Sequence, residues 1–151
     1  MDLDAQYLHN LYNSRQAKTY SDVSQLFEIN YQKIFKLIPL IKQTAHSSVI
    51  RHSNHPDLHL IVDQCFVHTA IFTLTHILQN DIHKPDIKFK IYFDAQLVEV
   101  LSVCNETVLN SDHPYLTQCS DMNIQWELNL FLEKWLDYCL DKYQGKSWQT
   151  L

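Results

Sequence analysis

Strict alternation of apolar and polar residues near the middle of the chain constrains its fold more than any other feature. Ile87, Phe89, Ile91 and Phe93 alternate with Lys88, Lys90 and Tyr92. A period of two is the signature of a strand with one face buried and one wet. Leu58, Leu60 and Val62 alternate with His59, Ile61 and Asp63 in the same way, and residues 48–52, 67–78 and 97–105 are further strand-like runs. The connections between them are short: a turn at 64–66, the connector 79–86, and Asp94-Ala95-Gln96. Four to five consecutive strands so linked predict an antiparallel meander, with 87–93 and 97–104 forming a hairpin that turns at Asp94–Gln96.

On either side of the strands the period changes to steps of three and four. Val23, Phe27, Asn30, Ile34, Leu37 and Ile41 follow it in a helix expected to start at Ser21, with Asp22 in its first turn. Pro39 disfavours helical backbone at Ile38 and is expected to end or kink that helix there. Ile124, Leu128, Phe131, Leu132, Trp135, Cys139 and Leu140 make a wide apolar stripe over 121–143, and Gly145 sits where a helix C′ glycine belongs. The expected fold is therefore α+β: an N-terminal helix, a meander, and a C-terminal helix, both long helices packed on one face of the sheet. It forms a single domain over 1–151. Residues 1–20 are expected as an arm or short helix, and 146–151 as a loose tail. The stretch 105–120 reads as a long loop that covers or binds something.

Composition removes several functions. The 151 residues contain one glycine, which excludes the glycine-rich phosphate cradles, the dinucleotide fingerprint and the GxSxG nucleophile elbow. A formal charge of −5 argues against nucleic acid, because phosphate neutralisation needs concentrated Lys and Arg, and Lys33, Lys36 and Lys42 are too sparse to supply it. No apolar run is long enough to span a membrane, and the acidic start Met1-Asp-Leu-Asp has no secretory h-region. A cytoplasmic location is the expectation. Cys65, Cys104, Cys119 and Cys139 show no CxxC spacing and read as small buried hydrophobes.

Few residues suggest chemistry. His52, His55 and His59 have an HxxHxxxH spacing, but no carboxylate or thiol completes a tetrahedral set; no metal and no cofactor is expected. Asn30 lies on the apolar helix stripe, so its amide requires buried partners. Glu99 falls on one face with Leu97, Leu101 and Val103, an acid among aliphatics that needs a cation or donor to meet it if buried. Glu28 or Asn30 is expected to reach the sheet, with Glu99 bonded to one of them or to Tyr31. Asp94 reads first as a turn former. Trp135 falls on the core stripe, whereas Trp126 falls opposite and marks a candidate interface.

Three stretches carry a resemblance. Phe27-Glu-Ile-Asn-Tyr-Gln-Lys-Ile-Phe-Lys-Leu-Ile-Pro39, Phe93-Asp-Ala-Gln-Leu-Val-Glu-Val100 and Asn129-Leu-Phe-Leu-Glu-Lys-Trp-Leu-Asp-Tyr-Cys-Leu140 together resemble the YqiB-like family of short proteobacterial proteins of unknown function. The resemblance implies no activity, and the His-rich segment 52–59 departs from it. The functional expectation is a non-catalytic domain that binds a protein partner or small ligand through Glu28, Asn30, Tyr31, Asp94 and Glu99. The alternative is a small enzyme using Glu28, Asp94 and Glu99 in a sheet–helix cup.

Overall fold

The computed structural model describes residues 19–77, 83–104, 115–116 and 122–151; the expected 105–120 loop and N-terminal arm fall largely outside them. Helix α1 spans Tyr20–Leu37. Its N-cap is Thr19 rather than Ser21, because a Thr-x-x-Asp pattern closes a capping box: the Thr19 hydroxyl accepts from the Asp22 N–H and the Asp22 carboxylate accepts from the Thr19 N–H, both at 3.1 Å. Ile38 caps the other end, its N–H bonded to the Ile34 carbonyl at 2.7 Å, and Pro39 stops the helix. A short 3-10 turn, Ile41–Gln43, leads into the sheet.

The strands are β1 (Ser48–His52), β2 (His55–Cys65), β3 (Thr69–Ile77), β4 (His83–Tyr92), β5 (Leu97–Cys104) and β6 (Tyr115–Leu116); helix α2 (Met122–Tyr143) and strand β7 (Gln149–Thr150) follow. The sheet order is β6-β5-β4-β3-β2-β1-β7, antiparallel throughout. Among the described residues seven strands replace the four to five expected, because β6 and β7 are two-residue pairings too short to carry a period. The β4–β5 hairpin turns at Phe93–Gln96 as its alternation predicts. The connector expected over 79–86 is shorter, since β4 already begins at His83. The turn expected at 64–66 moves to 66–68, β2 running on through Cys65. Residues 146–151 are not a loose tail. Gln149 and Thr150 pair with Val49 and Ser48, the Leu151 N–H reaches the Ser47 carbonyl at 2.9 Å, and the Trp148 indole N–H donates to the Leu37 carbonyl at 3.0 Å.

Cross-strand partners put Leu60, Leu74, Ile87 and Val103 on the same face as Phe72, Phe89 and Val100. All are essentially solvent-free and form one cluster with Ile34 and Leu37 of α1 and Phe131, Trp135 and Cys139 of α2. Each such side chain contributes about 1.5–3 kcal/mol when fully buried, so this cluster holds helices and sheet together. One irregularity matters for the site. Lys88 pairs with Ser102 but Phe89 pairs with Val100, so Leu101 is an extra residue in β5. Past that bulge the alternation changes face. Val103 consequently joins Val98 and Val100 in the core, while Glu99 stands opposite Lys90 on the other, half-buried face. Among the described residues no helix is long and apolar enough to cross a membrane.

Candidate functional site

The helical period of α1 brings Glu28, Tyr31, Gln32, Phe35 and Lys36 along one side, and the β4–β5 turn stands against it. Together with Ala95 and Gln96 they line a groove of about 450 Å³. Its floor is aromatic: Tyr31 and Phe35 rings lie 4.7 Å apart, and Phe35 meets Phe93 edge-on at 6.5 Å. The Tyr31 hydroxyl points to the Phe93 carbonyl at 3.5 Å. Burial, and then the negative charge of Asp94, raise the Tyr31 pKa, so the phenol stays protonated as a donor. Asp94 is mostly exposed and pairs with His68 of the neighbouring β2–β3 turn at 3.0 Å. The Phe93 N–H donates to the His68 carbonyl at 2.9 Å, fastening the two turns together. Beside this joint, Phe66 is 60% and Val67 83% exposed. One end of the molecule thus combines an aromatic-floored groove with an apolar tip.

Of the residues expected to gather, Glu28 and Tyr31 line this groove and Asp94 stands beside it. The other two are elsewhere. Asn30 is solvent-free on the side of α1 that faces α2, where its Nδ2 donates to the Asn129 carbonyl at 2.9 Å and to Asn129 Oδ1 at 3.3 Å. Asn129 repeats the pattern toward Gln125 one turn earlier in α2, so Asn30 joins the two helices through an amide that is itself held within α2. Asn30 thus bonds the other helix, and Glu28 lines the groove against the β4–β5 turn. Glu99, on the far face because of the bulge, accepts from the Tyr92 hydroxyl at 3.0 Å, and Lys90 Nζ sits 5.0 Å from the Tyr92 ring centre. Burial first, then the Glu99 charge, push the Tyr92 pKa up to about 12. The acid among aliphatics is a cross-strand polar pair instead. Trp126 is not an exposed anchor: it is half-buried against Leu26 and Leu130 between the two helices. Cys65 is exposed rather than buried; Cys139 is buried, which raises its thiol pKa well above normal.

The His-rich segment divides. His52 and His55 face each other across the β1–β2 turn with ring centres 4.6 Å apart, while His59 is half-buried further along β2. Among the described residues no three potential ligands converge as a metal site would need. A residue that sequence reasoning missed completes this corner. His76 is 5% exposed, its Nε2 lies 2.8 Å from the Tyr143 hydroxyl, and that hydroxyl donates to the Pro56 carbonyl at 2.6 Å. A carbonyl only accepts, so the phenol proton goes to Pro56 and His76 Nε2–H donates to the phenol oxygen. Trp135 packs edge-on against His76, ring centres 4.5 Å apart. Its signal was present: His76 continues the alternation of Phe72 and Leu74 onto the apolar face.

No curated protein and no solved structure matches the chain. A model of a family described as protein of unknown function (DUF1249) matches residues 33–145, from the middle of α1 to the glycine that ends α2. The match covers every long strand, the β4–β5 turn and the core side of α2, and the chain belongs to that family.

Proposed function

We propose that this is a cytoplasmic, non-catalytic binding domain of the YqiB-like bacterial kind, and that it engages another protein where the β2–β3 and β4–β5 turns meet. The observation that carries the reading is the exposure of Phe66 and Val67, 60% and 83%, at the end of the sheet where Tyr31 and Phe35 floor a groove. Adjacent apolar side chains on a turn lose free energy to water unless a partner covers them. The turn that carries them is braced by His68 contacts to Phe93 and Asp94, so little ordering is needed on binding. Both long helices lie against one sheet face in this reading, which their shared cluster with Phe72, Phe89 and Ile91 supports. A formal charge of −5 keeps nucleic acid an unsuitable partner.

The enzyme alternative loses its geometry. Glu28 lines the groove, Asp94 is at its rim and held by His68, and Glu99 is on the other face of the sheet, whereas acid–base work requires groups within reach of one reacting atom. A photo-crosslinking amino acid placed at Val67, in cytosol of the native host, should capture a discrete protein. The same label at Asn54, in the turn at the opposite end of β2, should not capture that protein. Phe66→Asp should abolish the adduct while leaving the unfolding midpoint unchanged. Equal labelling from both positions would overturn the reading.

A further inference from the structure

Among the described residues, the outer edge of β1 is only partly covered. β7 pairs only with Ser48 and Val49, and among the described residues no strand lies beside Ile50, Arg51 and His52 on that side. Unpaired edge amides and carbonyls are a template for another extended chain. The present occupant of the seat is short, with two paired residues. Gln149, Thr150 and Leu151 are all exposed, and the segment holding them leaves α2 at Gly145, whose φ of +84° is surrounded by open space. Beside the seat is a second groove of about 450 Å³. Ile38 and Leu60 of the core form its base, and Leu40, 69% exposed, and Lys146 stand on its rim. Although the whole chain carries −5, this border presents Lys146 and the exposed Arg51, which makes a loose 3.9 Å contact to Asp57 and donates to Gln149 Oε1 at 3.2 Å.

We propose that β1 is a strand-accepting edge, and that an extended acidic segment of a partner protein displaces Gln149–Leu151 from it. The incoming backbone pairs with β1, one of its aliphatic side chains enters the groove over Leu60, and its carboxylates meet Lys146 and Arg51. Main-chain pairing supplies affinity in this mode of recognition, and the side-chain pocket supplies selectivity. β7 is the built-in stopper. The Arg51 charge and the register shift between Ile50 and His52 keep identical edges from stacking on one another. The inference is independent of the partner proposed for the Phe66–Val67 end.

The test uses the full chain and a phage-displayed library of random linear peptides of about a dozen residues. A second form carries Cys65→Ser with Ser48→Cys and Thr150→Cys, directly opposed positions whose disulfide locks β7 in place. Selection on the unlocked chain should enrich peptides that alternate aliphatic and acidic residues. They should bind the locked form about tenfold or more weakly, regain affinity when the disulfide is reduced, and weaken with Lys146→Glu. Methylating alternate peptide amides should remove binding, as pairing through the backbone requires. No enrichment, or peptides that bind locked and unlocked forms equally, would overturn the proposal. Self-association of the unlocked chain that disappears on locking would place a second copy on the edge and overturn the acidic-partner form.

Discussion

Asn30 shows how far a single residue can be read. Its place on an apolar stripe announces burial, and burial obliges an amide to find partners, but the partner is 99 positions away, and no local pattern points to it. The expected contact was the sheet; the actual one is Asn129, because the helices approach closely enough for their amides to interlock. The bond does not satisfy everything: Asn30 Oδ1 has no hydrogen-bond partner among the described residues. Truncation therefore strands the Asn129 carbonyl and Oδ1 as acceptors but leaves no donor without its partner. Asn30→Ala should destabilise by about 1–3 kcal/mol, the usual cost of leaving buried polar groups uncompensated. Asn129→Ala should cost a similar amount, and the double variant should cost less than the two together. Urea unfolding of the four proteins measures the coupling. Strict additivity would show that the amide contact contributes nothing of its own.

At the scale of elements, the periods were legible and their interruptions were not. Alternation marks β2, β4 and β5 because one face is dry and the other wet. The extra residue Leu101 changes nothing in composition, yet it moves Val103 to the core side and leaves Glu99 on the other. A bulge is a decision about register, made by the partner strand rather than by the sequence that bulges. Turn geometry was hidden for a related reason. With a single glycine in the chain, the tight β4–β5 turn uses Gln96 at a φ of +59°, a conformation costly for a residue with a Cβ. Gly145 takes +84° at no such cost. The two positions should respond with opposite signs. Gln96→Gly should stabilise by up to about 1 kcal/mol, strain relief outweighing the greater freedom of the unfolded glycine. Gly145→Ala should destabilise by about 1 kcal/mol, and the cost is one of backbone conformation alone, since a Cβ there meets nothing within 4 Å. Thermal unfolding of each variant decides it, and a shift of the same sign in both would sink the argument.

For the whole molecule, the corner around Tyr143 joins elements that sequence separates widely. The phenol ends α2, bonds the carbonyl of Pro56 in β2, and accepts from His76 in β3, so one hydroxyl gathers a helix and two strands. His76 is nearly solvent-free between Tyr143 and Trp135. Burial, reinforced by the neighbouring His55, lowers its pKa from 6.5 to about 4; burial, then His55 and Lys146, also lower that of His52. A depressed histidine pKa has a definite sign. The unfolded chain takes up the proton as the pH falls through 6.5, while the folded chain refuses it until about 4. Between those values the unfolded state binds more protons, so stability declines as the pH is lowered. Over that span His76 alone accounts for about 3 kcal/mol of lost stability, a large share of the 5–15 kcal/mol of a typical domain. Urea midpoints measured from pH 7 to pH 4 should therefore fall steadily, and His76→Gln, which keeps a donor to Tyr143 but cannot titrate, should start lower at pH 7 and fall much less. Parallel curves for the two proteins would show that the acid lability of the fold originates elsewhere.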